Sequence, residues 1–316
     1  MAEHDKSVRS ASGPRIVTVT ADSADRRLDN FLMSELKGLP RTRIYRLIRK
    51  GEVRVNKGRT KPAYRVAEGD QVRIPPVHGL KDGSKSTVSP ARAGWIAEHI
   101  IHEDDHLLVL DKPSGLAVHG GSGVSLGAIE LLRAARPDAR FLELVHRLDR
   151  DTSGCLLVAK KRSALRRMHE AFREGQVSKI YLALLAGSWQ NGKRQVDMPL
   201  VTDSRRNGER HVRPGAEGKE AVTRFFPEQL FRNAALLRVE LLTGRTHQIR
   251  VHSAAIGHPV AGDERYGSDW RPAGLKRLFL HASELALEHP GTGQTIKFES
   301  ALDAELRSVL AKLDES

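Results

Sequence analysis

The chain has 316 residues, 39% of them hydrophobic, which is enough for one large domain beside a smaller one. Its 52 Lys and Arg against 39 Asp and Glu leave a surplus of +13, which points to a polyanionic partner such as a nucleic acid. No apolar run approaches the roughly 20 residues of a spanning helix, the opening MAEHDKSVRSASGPR lacks the apolar core of a signal peptide, and one cysteine excludes an internal disulfide or a cysteine zinc cluster. A cytoplasmic protein with no membrane association is expected.

Residues 1–25 read as a polar, disordered tail in which Arg15 to Thr20 alternates and predicts an edge strand. A first compact unit is predicted over 26–76. Leu28, Phe31, Leu32 and Leu36 fall at helical spacing, and a second helix carries Ile44, Leu47 and Ile48 on one face. Its other faces carry Arg41, Arg43, Arg46, Arg49 and Lys50, with Gly51 placed as a C-terminal cap. GEVRVNKGR predicts a hairpin turning at Asn56 to Gly58, and Val72 and Ile74 mark a last strand. A basic helix beside a basic hairpin offers phosphate contacts, which give affinity without sequence preference; a merely solvated charged helix is the alternative. RLDNFL, RTRIYRLIRKGEVRVN and GDQVRIP resemble the S4 RNA-binding domain over Arg26 to Pro75.

Residues 77–94 turn to Gly, Ser, Lys and Pro and predict a flexible linker. The large domain is expected over 95–316. HIIHEDDHLLVLDKPSGLAVH reads as strand, turn, strand and a second turn at Lys112 to Gly115. The glycine-rich Gly120 to Gly123 lacks the Lys-Ser/Thr pair of a phosphate loop. A helix over Ser125 to Arg136 precedes VHRLDRDTSG, where Gly154 feeds the apolar run from Cys155 to Ala159. Cys155 is expected to be a buried core residue. Ser163 caps a helix ending at Gly175, and Lys179 to Gly187 is a strand with Tyr181 near its start. Asp203 to Glu220, with Arg205, Arg206, Arg210 and Arg213, predicts an exposed hairpin or loop and a second RNA contact. A strand over Leu236 to Leu242 runs into TGRTHQIRVH, where Thr246 caps a helix that stops at Gly257. Short strands at Leu278 to Leu280, Leu285 to Leu287 and Thr295 to Phe298 come before a closing amphipathic helix. Many hairpin-connected strands with a few helices make an α+β fold with a mixed, largely antiparallel central sheet flanked by helices.

Asp149 lies between Arg147 and Arg150 in a loop backed by a buried strand, where catalytic groups are commonly placed; a turn-capping carboxylate is the alternative. His247 and His252 are five apart and do not share a helix face as a ligand pair would, so no metal is expected. No G-x-S-x-G elbow offers a serine nucleophile. A glycosidase pair would need Asp151 as its second carboxylate, but two residues from Asp149 it is expected instead to point another way or to cap the turn.

DKPSGLAVH, VHRLDRDTSG, SKIYLALLAG, TGRTHQIRVHSAAIGHPVAGDERYG and RLFLHASEL together resemble the RluA-type pseudouridine synthases, which isomerise uridine within RNA. With the S4-like unit in front, the resemblance implies 23S ribosomal RNA, naked or in a large-subunit assembly intermediate, as partner; the redox-neutral isomerisation calls for no cofactor, and a monomer is expected. It implies Asp149 as the catalytic carboxylate and Arg250 as its partner. Tyr181 would stack on the base and is a candidate for the later proton abstraction. Ile249 would pack in the pocket, and Arg147 would take the place of the flipped nucleotide. Attack of Asp149 at C1′, attack at C6, or removal of a sugar proton are all open. A non-catalytic ribosome-assembly factor using the same basic surface, and a nucleoside-cleaving hydrolase, are the competing functions.

Overall fold

A computed structural model describes residues 13–36, 39–77, 88–120, 126–204, 210–267 and 270–314. The chain divides into two compact units, Met1–Thr87 and Val88–Ser316. Most of the tail, most of the linker, the glycine-rich stretch 121–123, and Arg205 and Arg206 lie outside the described residues. Among the described residues no helix is long and apolar enough to cross a membrane.

In the first unit, β1 (Arg15–Thr18), α1 (Leu28–Glu35), α2 (Arg41–Lys50), β2 (Arg54–Val55) and β3 (Gln71–Ile74) enclose a small core. β3 is the central strand, with β1 and β2 antiparallel on either side, so the expected edge strand forms. The expected hairpin shrinks to a tight turn. Asn56 and Lys57 both take positive φ, Val55 and Gly58 exchange backbone hydrogen bonds, and the chain then leaves, so that β2 pairs with β3 instead. Ile44, Leu47 and Ile48 are buried in α2, Arg43, Arg46, Arg49 and Lys50 are exposed, and the Arg41 side chain lies outside the described residues. Gly51 closes the helix in the left-handed conformation.

The second unit opens with α3 (Pro90–Ala97). Ser89 caps this helix and Pro90 occupies its first turn, so the expected linker ends about five residues early. There follow β4 (Ile100–Glu103), β5 (Leu107–Lys112), α4 (Ala128–Ala135), β6 (Glu143–Leu144), β7 (Ser153–Ala159), α5 (Arg162–Arg173), β8 (Ser178–Ala186) and β9 (Arg194–Asp197). β10 (Leu200–Ser204) and β11 (Arg210–Pro214) form a separate antiparallel pair. β12 (Val222–Leu230), β13 (Ala234–Leu241), α6 (Gln248–Ala255), β14 (Leu280–Glu288), β15 (Thr295–Glu299) and α7 (Ala304–Asp314) complete the chain. The main sheet runs β4-β5-β7-β14-β8-β13-β12-β9, and β7 with β14 is its one parallel pair among the described residues. The result is the expected mixed, largely antiparallel sheet flanked by helices.

Alternating residues of β5, β7 and β8 send Leu108, Leu110, Leu156, Val158, Tyr181 and Ala183 to the largest core cluster. The intervening positions supply two smaller clusters that hold α5 and α7. Two sites fix the β7–β14 crossing. Gly154 has φ +104°, and a Cβ there would run into the backbone carbonyl of Ala282. Beside it Ser153 donates to His281 Nδ1 at 2.9 Å, and His281 Nε2 donates to the Ser300 carbonyl. This crossing sets where the loop preceding β7 emerges.

Candidate active site

The loop between β6 and β7 carries Asp149, and its backbone is tied down from outside. The buried Lys112, at the end of β5, donates from Nζ to the carbonyls of Pro113, Leu116 and Arg150, each at 2.9 Å. Ser114 donates to the Asp151 carbonyl, and Arg150 Nε donates to that of Gly115. The Asp151 side chain is exposed, and Arg150 is engaged with Gly115, so neither competes with Asp149. Burial pushes the Lys112 ammonium down to about 7, with nearby Asp151 and Asp149 opposing. The Leu157 N–H donates to His146 Nε2, and burial, reinforced by Lys179, lowers that imidazole to about 4, so His146 is neutral.

Arg250 arrives on α6. Thr243 begins the approach by donating to Gln248 Oε1, which also accepts the Arg245 N–H. Gln248 Nε2 in turn donates to the Val222 carbonyl and Thr223 Oγ1, latching the loop onto β12. The residue before the helix is His247, in the left-handed conformation with φ +54°. Sequence reading placed Thr246 as the cap; the structure uses His247, without a side-chain cap, because Gln248 already satisfies the loop.

Arg250 lies 3.7 Å from Asp149 Oδ2 through Nη1. Its closer partner is Asp263, which accepts from Nε and Nη2 at 2.7 Å each. Burial disfavours the Arg250 charge, but the bidentate carboxylate outweighs it and raises the guanidinium above its ordinary pKa. Asp263 is depressed below its ordinary 3.8: burial works against this, and Arg250 with the Arg265 and Tyr266 N–H groups prevails. The expected Asp149–Arg250 partnership is therefore a looser contact than the one that fixes the arginine. Asp263 was not singled out from the sequence. A buried arginine demands a carboxylate, but nothing local to HQIR says which.

Asp149, Arg147, Tyr181, Ile249 and Arg250 all line one cavity of about 540 Å³. The Asp149 side chain is 17% exposed and accepts no hydrogen bond among the described residues; Arg250 Nη1 and His247 Nε2 both lie 3.7 Å from its Oδ2. Tyr181 is buried in β8, opposite the β14 bulge between His281 and Glu284. Burial first and the Asp149 charge second raise its pKa, so it is a neutral phenol at neutral pH. Its hydroxyl has no hydrogen bond among the described residues. Ile249 is buried, and Arg147 is exposed with no ion pair among the described residues. Arg173, Lys179 and Arg245 add positive charge to the lining. Among the described residues no three His, Cys, Asp or Glu side chains are arranged to hold a metal ion. The Cys155 thiol is buried and pushed up to about 12, which makes it unreactive.

The segment 203–220 forms the expected hairpin, and it also packs inward. It contributes the β10–β11 hairpin, whose Val212 is buried against Leu200, Ala221 and Val251 of α6, while Arg213 is taken up by Asp203 and Glu217. Its described part braces α6.

The chain that carries this site is similar to known proteins. A family model described as RNA pseudouridylate synthase matches residues 106–255, and one for the S4 domain matches 26–72. Ribosomal large subunit pseudouridine synthase C of Yersinia pestis is 53% identical over 305 residues, covering 95% of each chain. The chain belongs to the RNA pseudouridine synthase family. The enzyme of the same name from Escherichia coli (strain K12) is 54% identical to this synthase over 308 residues, 95% of this chain and 96% of that one. Among solved structures, human RNA pseudouridylate synthase domain containing 4 is similar to the synthase with a TM-score of 0.58 and 28% identity, over 71% of this chain and 96% of the other.

Proposed function

We propose that the chain isomerises specific uridines of 23S ribosomal RNA to pseudouridine in the cytoplasm, with Asp149 as the reacting carboxylate. The similarity over nearly the full length to ribosomal large subunit enzymes supports the substrate class. The observation that carries the chemistry is an Asp149 carboxylate without hydrogen bonds among the described residues, facing Arg250 inside a cavity that Tyr181 also lines. In this reading residues 26–76 supply phosphate contacts through Arg41, Arg43, Arg46, Arg49 and Lys50, and residues 95–316 perform the reaction. A single chain supplies every group named, so a monomer suffices.

The reaction breaks N1–C1′, turns the uracil, joins C5 to C1′, and moves the C5 proton off while N1 gains one. It is redox-neutral and expels no group that needs activation. Each first step open to a carboxylate (attack at C1′, attack at C6, or removal of a sugar proton) uses its anion, and Arg250 places a permanent positive charge 3.7 Å away. Extruding the base costs a few kcal/mol, which Arg147 filling its place and Tyr181 under the ring offset in part. The phenol starts neutral, so it must lose its own proton before abstracting one from C5, and its surroundings resist that loss. The test is to map pseudouridine in 23S ribosomal RNA from cells carrying Asp149→Asn. The sites made by this enzyme are expected to revert to uridine. Persistence at normal level, with no redundant enzyme present, would sink the proposal.

A further inference from the structure

His247 is held in a way that the reaction described above does not explain. It adopts φ +54°, a left-handed conformation uncommon outside glycine, although histidine is among the residues enriched there. Its Nδ1 lies 2.8 Å from the Tyr266 hydroxyl, and that hydroxyl accepts the Val212 N–H at 3.1 Å. A phenol oxygen that already accepts from an amide directs its own proton elsewhere, and here the available acceptor is His247 Nδ1. With Nδ1 accepting that proton, the neutral ring carries its own on Nε2, the tautomer on which the proposal below depends. Nε2 is the atom 3.7 Å from Asp149 Oδ2, the same oxygen and the same distance as Arg250 Nη1. Burial, with the Arg250 and Arg265 charges, lowers the His247 pKa against the pull of Asp149, which agrees with a neutral ring.

We propose that His247 is a positioning residue for Asp149. A backbone N–H on β11 and the Tyr266 hydroxyl set its tautomer, so a neutral Nε2–H donor faces the carboxylate from one side while the Arg250 cation faces it from the other. The 3.7 Å spans exceed hydrogen-bond length, and catalytic contacts of this kind tighten when substrate settles in the site. Two donors converging on one oxygen fix the carboxylate's rotation and leave its other oxygen for the pyrimidine nucleotide. Tyr266 also stacks its ring against the Arg250 guanidinium, 5.2 Å from the centroid, so one side chain braces both donors. The hairpin carrying Val212 becomes part of the catalytic support.

This inference rests on Asp149 being the reacting group, and the experiment separates the two claims. Asp149→Asn, His247→Ala, His247→Gln and Tyr266→Phe are assayed for single-turnover rate and for RNA affinity on a 23S ribosomal RNA transcript. Alanine and glutamine meet the same backbone strain at residue 247, but only glutamine returns an N–H donor near the Nε2 position. His247→Ala is expected to slow the single-turnover step by about tenfold to a hundredfold, the range for losing a donor to a charged group, with affinity within about twofold. His247→Gln should recover most of that rate. Tyr266→Phe keeps the ring against Arg250 and should show an intermediate loss. Long-range proton–nitrogen correlation of the His247 ring in the wild-type protein should show Nε2 protonated. Equal losses for alanine and glutamine, no loss for alanine, or an Nδ1–H tautomer would overturn the role of His247. An active Asp149→Asn enzyme would instead remove the reading beneath it.

Discussion

Replacing Asp263 by asparagine tests whether Arg250 is held by the carboxylate identified here. The side chain is essentially inaccessible and takes two guanidinium hydrogen bonds at 2.7 Å along with two backbone N–H groups. Asparagine keeps one acceptor oxygen and turns an NH₂ group towards donors, so at least one charge-assisted bond is lost and a buried cation is left underpaired. Breaking a buried pair by removing one partner costs about 3–5 kcal/mol. For a unit the size of 88–316 that lowers the melting temperature by roughly 6–20 °C. Freed from its clamp, Arg250 no longer meets Asp149 at a set position, and a displacement of about 1 Å at a reacting group costs about a hundredfold in rate. The pH dependence has a definite sign. Asp263 titrates below its ordinary 3.8 in the folded protein, so its contribution is complete above that value and is lost as the pH falls through the lower, folded-state pKa. Calorimetry of wild type and Asp263→Asn should show a wide gap near neutrality that narrows in acid. A variant melting within about 2 °C of wild type at pH 7 would refute the clamp.

Three further substitutions separate scaffold from chemistry. Lys112→Met should loosen the Asp149 loop by leaving the carbonyls of Pro113, Leu116 and Arg150 without their donor, and activity should fall. Because burial lowers Lys112 from 10.5 to about 7, the unfolded chain binds the extra proton between those values. The wild-type advantage over Lys112→Met in denaturant melts should therefore grow from about pH 7 to about pH 10. Gly154→Ala places a methyl group against the Ala282 backbone at φ +104°, with a loss of more than about 3 kcal/mol expected; a normal melting curve would contradict the close β7–β14 approach. Arg147→Ala should leave stability within about 0.5 kcal/mol, since the side chain is exposed and without an ion pair among the described residues. Its single-turnover rate should nonetheless fall, and an unchanged rate would exclude it from base extrusion.

Periodicity revealed the elements whose side chains alternate cleanly and misread those that geometry interrupts. The apolar run from Cys155 to Ala159 after the Gly154 turn reads as a buried strand and LLVLDK reads as a strand, and both form. β14 reads as two short strands because the bulge between His281 and Glu284 shifts the register and puts Ser283 and Glu284 mid-strand. The turn at Asn56 was legible from its residues, but the preference of β2 for β3 over its sequence neighbour was not, because it depends on burying Val55 and Val72 in the same core. α5 starts one residue before Ser163, from Lys161, without a side-chain cap, since tertiary burial of Ala164, Met168 and Ala171 holds its first turns in place of the expected hydroxyl.

The site divides in the same way. The groups proposed to meet a nucleotide announce themselves, because a carboxylate between arginines or an arginine after HQI is chemically conspicuous in a linear sequence. The groups that hold them do not. Asp263 is thirteen residues beyond Arg250, Lys112 is thirty-eight residues before Arg150, and Val212 reaches His247 through a tyrosine. These supports reach across strands and loops, and several of them work through backbone amides and carbonyls, which carry no residue signature. That choice has a physical advantage. Backbone partners on a packed sheet cannot rotate away, so they fix the orientation of His247 and the Asp149 loop at little cost in side-chain entropy. The Asp149 carboxylate accepts no such bond among the described residues, which in the proposed reaction leaves its oxygens to the substrate. An enzyme built this way should tolerate conservative changes at exposed arginines far better than a single methyl group at the strand crossing behind them.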